Sequence, residues 1–444
     1  MQKLSLFLLG LILSVQLFAA QDSTPKWASD QLHLRTLVKQ SIRETQKWQR
    51  PDGTIYPVLD VYKWDDEVEI FYYWLPYYLL TGDESAYHSV KKNALAYIQR
   101  GLNDNRFEHG YYRDPHFDTE HTLEGMITLA NLAWIRPDDR EVVAALEDVV
   151  EHAGNFVAGQ EPWFEPSTGL MRSVRLGTKK VNRTDNRAID WAFNLQFVKM
   201  ALATFYATGN HRYLEWSKSY LDGWIAVMER NQKENGVYVI PAEVDPYTGR
   251  IGHLSGTWHY AQWEPGWGWH VKGNNANRDM RGAFLDAYRL TGERRYLEAQ
   301  IKHIQTLFDK GSYYQPAHYY DGEKWTVDDD KVTVYMSVQA ALLDDRIDPK
   351  FEAFMKRWYE YQRYPEMEFH FWAYRKFGGE NKIDQIYARA IDNAQKRLVE
   401  LQAMTQLPQY PDSFVRIGGY WGMTMPPFGG MASPRGEMPW LEVI

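Results

Sequence analysis

Apolar residues recur at three- and four-residue intervals along most of the chain, and strand-like alternation is scarce. The spacing predicts helices near 28–49, 66–80, 84–101, 119–134, 139–158, 187–207 and 211–230. It predicts further helices near 277–290, 294–309, 332–344, 349–362, 366–377 and 381–403. Three junctions share one pattern: Thr81-Gly82, Thr208-Gly209 and Thr291-Gly292 each precede a polar turn and then a tyrosine, Tyr87, Tyr213 or Tyr296. The stretch 377–395 is a looser copy. Glycine past one helix end and a polar residue before the next is the chemistry of a helical hairpin. Its repetition marks a repeat architecture. Long aromatic-rich connections lie at 102–118, 159–186, 231–276 and 311–331. Short turns on one side and long loops on the other predict a closed ring of hairpins whose long loops build a single face.

On those junctions and that hairpin count, residues 28–403 resemble the (α/α)6 toroid, or six-hairpin, superfamily of carbohydrate-active enzymes. The resemblance implies an all-α toroid that acts on a glycan. Members of the superfamily include glycoside hydrolases, unsaturated-uronyl hydrolases and polysaccharide lyases, and no motif here selects one family.

The chain opens on a lysine, an apolar run from Leu4 to Leu13, and small residues at Ala19 and Ala20. That reads as a secretory signal peptide over 1–20, with a periplasmic or secreted product. A toroid domain is expected over 21–407 and an irregular tail over 408–444, rich in Gly, Pro, Met and aromatics, that can fold back over the ring's mouth. The chain has no cysteine, so neither a lipid anchor nor a disulfide framework is expected. A net charge of −8 argues against nucleic acid and anionic membrane surfaces as partners. No later stretch is apolar enough for membrane insertion. Dinucleotide, nucleotide, zinc-protease and calcium-loop fingerprints are all missing, and no cofactor is expected.

Chemistry concentrates in Ile251–Arg281, which holds three histidines, four tryptophans and three asparagines. His259, Tyr260 and His270 are candidates for proton transfer, because imidazole and phenol can be tuned to that task. Trp263 and Trp269 are candidates for stacking on sugar rings. Asn274 and Arg278, near the start of a helix, are candidates for holding a sugar carboxylate. A second wall is 110–125, with Asp118 or Thr119 capping a helix and Glu120 and His121 in its first turn. His121 is the proton-transfer partner expected from this side, and Arg113 a bidentate clamp for an acid group. The loose spacing of His116, Asp118 and His121 is a weak metal signal, and no metal is expected. A third wall, 179–194, carries Arg187 as a carboxylate ligand, with Asp190 and Asn194 four residues apart on one helix face.

This kit, with arginines recurring in loops of an acidic protein, points to an acidic, uronate-containing or sulfated oligo- or polysaccharide. The favoured expectation is β-elimination at a uronic acid, as a lyase or an oligosaccharide dehydratase. The alternative is a glycoside hydrolase of the same fold, with Glu120, Asp190 and Glu264 as its acids. A third reading is a glycan-binding protein without catalysis. For each residue a plain alternative stands beside these: hydrogen-bonded histidines, capping acids and surface ion pairs.

Overall fold

A computed structural model describes residues 25–56, 74–102, 105–258, 274–310 and 382–409, with a few isolated positions besides. The described helices are α1 (Lys26–Gln46), α2 (Trp74–Thr81), α3 (Glu84–Leu102), α4 (Thr119–Ile135), α5 (Arg140–Ala153), α6 (Gln196–Thr208), α7 (His211–Asn235), α8 (Asn274–Thr291), α9 (Arg294–Lys310) and α10 (Ile383–Ala403). The expected helices at 332–344, 349–362 and 366–377 and nearly all of the tail lie outside the described residues. Two antiparallel two-residue hairpins complete the set: β1 (Phe107–Glu108) with β2 (Tyr111–Tyr112), and β3 (Phe164–Glu165) with β4 (Leu170–Met171). They are too short to leave an alternating pattern in the sequence.

The chain is all-α and follows the toroid plan of consecutive hairpins, α2/α3, α4/α5, α6/α7 and α8/α9. The even-numbered members α4, α6 and α8 pack side by side as an inner row, and α5, α7 and α9 back them. Burial follows from that placement. Every residue of α6 from Gln196 to Thr204 is buried, as a helix enclosed on all sides requires. The outer α5 buries only a stripe: Val142, Val143, Leu146, Val149, Val150, His152 and Ala153. At the other end of the sequence, α1 packs against α10, bringing the first and last described helices together.

The repeated junction has one local cause. Gly82, Gly209 and Gly292 all take φ between 67° and 69°, the left-handed region open to glycine. Their N–H groups donate to the carbonyls of Tyr78, Phe205 and Tyr288, closing the helix end. Just before each glycine, the threonine hydroxyl donates back into its helix, to the carbonyl of Tyr77, Thr204 or Ala287. It also accepts the N–H of Asp83, Asn210 or Glu293 at the start of the next helix. The tyrosine that follows is fully buried in all three cases. Such a ring contributes about 2 kcal/mol of burial and pins the outer helix to its neighbours.

Two expected helices are interrupted. The helix over 139–158 stops at Ala153, because Asn155 turns to φ 59° and its side chain instead holds the N–H groups of Trp163 and Phe164. The helix over 187–207 begins only at Gln196. Ahead of it lie two 3-10 turns, Asp185–Arg187 and Ala192–Leu195, because the backbone of Asp190 is drawn into a bridge with Val244.

The junction glycines have open space where a Cβ would stand, so the cost of replacing one is conformational. Gly209→Ala is expected to destabilise the protein by about 1–2 kcal/mol, and Gly209→Asn by less, since asparagine tolerates this region. Melting curves of the two variants check this; equal melting temperatures for wild type and Gly209→Ala would refute it.

Candidate active site

The N-terminal ends of α4 and α6 meet on the long-loop side of the ring. Asp118 is the N-cap of α4: its Oδ1 accepts the backbone N–H of His121 at 3.2 Å and lies 2.8 Å from His121 Nδ1. Burial works against charge on Asp118, which is 4 % exposed. The hydrogen bond and charge of His121, its backbone amide and the Arg175 guanidinium outweigh that penalty and hold the carboxyl below the usual carboxylate range. Both hydrogen bonds fall on Oδ1. Glu120, half-buried two positions after Asp118, presents a carboxylate oxygen within 4.8 Å of Asp118 and of a His121 ring nitrogen. Among the described residues, this is the one His/Asp/Glu cluster compact enough to surround a cation. His116 is exposed and lies outside it.

Beneath this pair sits Asp190, 0 % exposed. Its Oδ1 accepts the N–H of Trp191 (2.9 Å), Asn194 Nδ2 (2.8 Å) and the Tyr220 hydroxyl (3.0 Å), and its Oδ2 accepts the N–H of Met171 (2.8 Å). Enclosure pushes the carboxyl up to about 7 against the pull of those four donors. The two aspartates are therefore shifted in opposite directions. Asn194 also donates to Ser173 O and accepts from Thr119 Oγ1, which belongs to the first turn of α4.

The partners of Asp190 come from distant segments, and each is placed by packing. Met171 ends the β3/β4 hairpin, which is seated on α7 at Gly223; a Cβ there would fall 2.2 Å from the Gly169 carbonyl oxygen. That contact explains a glycine in a helix interior, where it costs about 1 kcal/mol. Tyr220, nearly one turn before Gly223, then reaches Asp190. The backbone N–H and C=O of Asp190 exchange bonds with Val244, and Val244 bridges Ile251 in turn. Beside it, the fully buried Glu243 accepts the N–H groups of Leu254 (2.8 Å) and Ser255 (2.7 Å). The start of the 251–281 segment is thus tied to Asp190.

His259, Tyr260, Trp263, Glu264, Trp269 and His270 lie outside the described residues. Asn274 and Arg278 fall in the first turns of α8. Of the residues expected at the site, the structure brings together Glu120, His121 and, one layer below, Asp190. Arg187 lies in the 3-10 turn whose carbonyl accepts Ser173 Oγ and the N–H of Val174; the carbonyl of Val174 accepts the N–H of Thr119. Arg113 lies 3.6 Å from Glu108. Of the other loop arginines, Arg172 is paired with Glu165 (2.9 Å) and Arg183 with Glu161 (2.6 Å). The sequence offers Asp118 or Thr119 as the cap, and the structure gives that place to Asp118; the sequence assigns no role to Tyr220. The one available signal was the run of acids and histidine beginning at Asp118.

The pH dependence of stability reports the state of Asp190. Its folded-state pKa is raised from 3.8 to about 7, so the folded protein binds this proton more tightly than the unfolded chain. The resulting stabilisation is complete below pH 3.8 and is lost as pH rises through about 7. Asp190→Asn cannot lose that proton. Whatever its baseline stability, its melting temperature should gain on wild type between pH 4 and pH 7; parallel curves would contradict the assignment.

Solved structures similar to the chain include the following three. An inactive variant of an α-1,6-mannanase of Salegentibacter sp. HEL1_6, in complex with α-1,6-mannotetrose, is 15 % identical, with 77 % of this chain and 86 % of that one covered and a TM-score of 0.46. An unsaturated glucuronyl hydrolase specific for heparin is 13 % identical over 86 % of this chain and 99 % of that one, with a TM-score of 0.43. The Lin0763 protein from Listeria innocua is 14 % identical over 84 % and 99 %, with a TM-score of 0.40. The two named activities are hydrolases, and the expectation of a carbon–oxygen lyase is corrected accordingly. No curated protein matches the sequence. A family model does match, over residues 15–190 and 171–397, and the chain belongs to that family, described as a domain of unknown function, DUF8034.

Proposed function

We propose that the protein is a glycoside hydrolase whose carboxylate pair is Asp118 and Glu120. The observation that supports this is the pair itself: two carboxylates with oxygens within 4.8 Å at the loop-side end of an inner helix, one of them held ionised. Glycosidic bond hydrolysis uses two such groups, one to protonate the leaving oxygen and one to act as base or nucleophile. Asp118 fits the second role. His121 and the α4 amide orient its Oδ1 and stabilise its charge, and Oδ2 carries no hydrogen bond among the described residues. Glu120 is half-buried at the rim and fits the role of proton donor. Asp190 is enclosed on every side and serves as the support beneath the pair.

Separation of the two carboxyls decides the stereochemical course. Retaining enzymes hold them about 5–5.5 Å apart, whereas inverting enzymes need about 6.5–9.5 Å to admit a water between them. The close approach of Asp118 and Glu120 favours a double displacement through a glycosyl-enzyme on Asp118, with Glu120 acting first as acid and then as base.

The substrate is proposed as an oligo- or polysaccharide. The arginines that suggested an acidic glycan are in part already engaged, Arg172 by Glu165 and Arg183 by Glu161. A panel should therefore pair neutral glycans, α-mannans included, with uronate polymers and their oligomers. The leader-like first residues motivate an exported enzyme, which cell fractionation tests.

On any glycan that the protein cleaves, Asp118→Asn and Glu120→Gln are each expected to lower kcat/KM by about 10³-fold, with melting temperatures within a few degrees of wild type. Reducing-end release and mass spectrometry of products check this. Near-wild-type rates in either variant would remove the pair.

A further inference from the structure

The hydroxyl of Thr119 stands at the centre of a hydrogen-bond chain whose polarity is fixed at every link. Trp191 Nε1 can only donate, and it lies 2.9 Å from Thr119 Oγ1. The Thr119 proton is therefore directed to Asn194 Oδ1, 2.5 Å away. The orientation of the Asn194 amide is equally determined: its Nδ2 faces two pure acceptors, Asp190 Oδ1 at 2.8 Å and Ser173 O at 3.2 Å. Every donor in the chain thus points towards the Asp190 carboxylate, and bonds aligned in this way polarise one another. All of these residues are buried. Thr119 immediately follows Asp118 and precedes Glu120, so its side chain is the link from the substrate-side carboxylates to the interior.

We propose that Thr119, through its hydroxyl bond to Asn194, is a positioning residue that fixes the carboxylates of Asp118 and Glu120 relative to the buried Asp190 network. The bond runs between the start of α4 and the 3-10 turn that leads into α6, two inner helices with separate loops. A second tie, the N–H of Thr119 to Val174 O at 2.8 Å, holds the backbone of the same residue. The hydroxyl adds rotational definition about that tie. Small errors matter here, because displacing a reacting group by about 1 Å costs on the order of 10²-fold in rate. Removing the hydroxyl leaves no orphan: Trp191 Nε1 still reaches Asn194 Oδ1 at 3.1 Å. Loss of positioning can therefore be separated from loss of fold.

The rate prediction rests on the hydrolase reading; the spectroscopic one does not. Thr119→Val keeps the shape and deletes the hydroxyl, and Thr119→Ser restores it. The ¹³C carboxyl signal of Asp118, assigned by its loss in Asp118→Asn, is followed against pH in wild type and both variants. In Thr119→Val the Asp118 titration is expected to move up, because a loosened helix start weakens the His121 contacts that offset burial. Thr119→Ser is expected to return it. On a cleaved glycan, kcat of Thr119→Val should fall about 10-fold with KM within about 2-fold, and serine should recover most of the loss. A lowered melting temperature with unchanged Asp118 titration and unchanged kcat would make Thr119 purely structural and overturn the proposal. If wild type cleaves no glycan in the panel, the hydrolase reading fails. The titration alone then decides the role of Thr119, a shift restored by serine upholding it and no shift overturning it.

Discussion

The enclosed carboxylate of Asp190 is the interaction on which the site depends. A carboxylate removed from water is costly unless donors replace its hydration, and here four donors do so from four places: the β3/β4 hairpin, the peptide after Asp190, the turn before α6, and α7. Each segment must be in place for the others to be satisfied. The backbone of the same residue pairs with Val244 and so engages the long connection after α7 as well. One residue thereby organises loops that the helical ring alone would leave independent. Its raised pKa is the residual cost of burial that the four donors do not cover.

Above this support the proposed chemistry rests on the start of α4. The N-terminus of a helix favours negative charge, and Asp118 occupies it with an imidazole and a backbone amide as partners. Asp118, held below the usual carboxylate range, and Asp190 beneath it, pushed above that range, are two acids set apart by their surroundings. Active sites are commonly built from such divergent environments. The inner helices supply rigidity, and α6, buried on every face through Thr204, has little freedom to shift.

Much of the fold was legible in the sequence because its signals are local. A left-handed glycine, a threonine that caps in both directions and a buried tyrosine act within a few residues, so Thr81–Tyr87, Thr208–Tyr213 and Thr291–Tyr296 could be read directly. The spacing of Asp190 and Asn194 was also informative: they do meet, at 2.8 Å, although between a β-bridge and the 3-10 turn that follows it and not in a continuous helix. The interruption of that helix depends on Val244, more than fifty residues away, and has no local trace. Asp118 caps α4 as expected, and its proposed catalytic role left no separate trace in the sequence. Capping and catalysis call for the same side chain at the same position, and only the proximity of Glu120 and the opposed shift of Asp190 separate them. The β-elimination reading leaned on His259, Tyr260 and His270, which lie outside the described residues, and on arginines that in part pair with glutamates.

The most direct measurement is the anomeric configuration of the first-formed sugar, followed by ¹H NMR during cleavage of a glycan that the protein accepts. The close approach of Asp118 and Glu120, with carboxylate oxygens within 4.8 Å, predicts retention of configuration. Inversion would contradict the pairing of Asp118 with Glu120 and require a second acid placed further away.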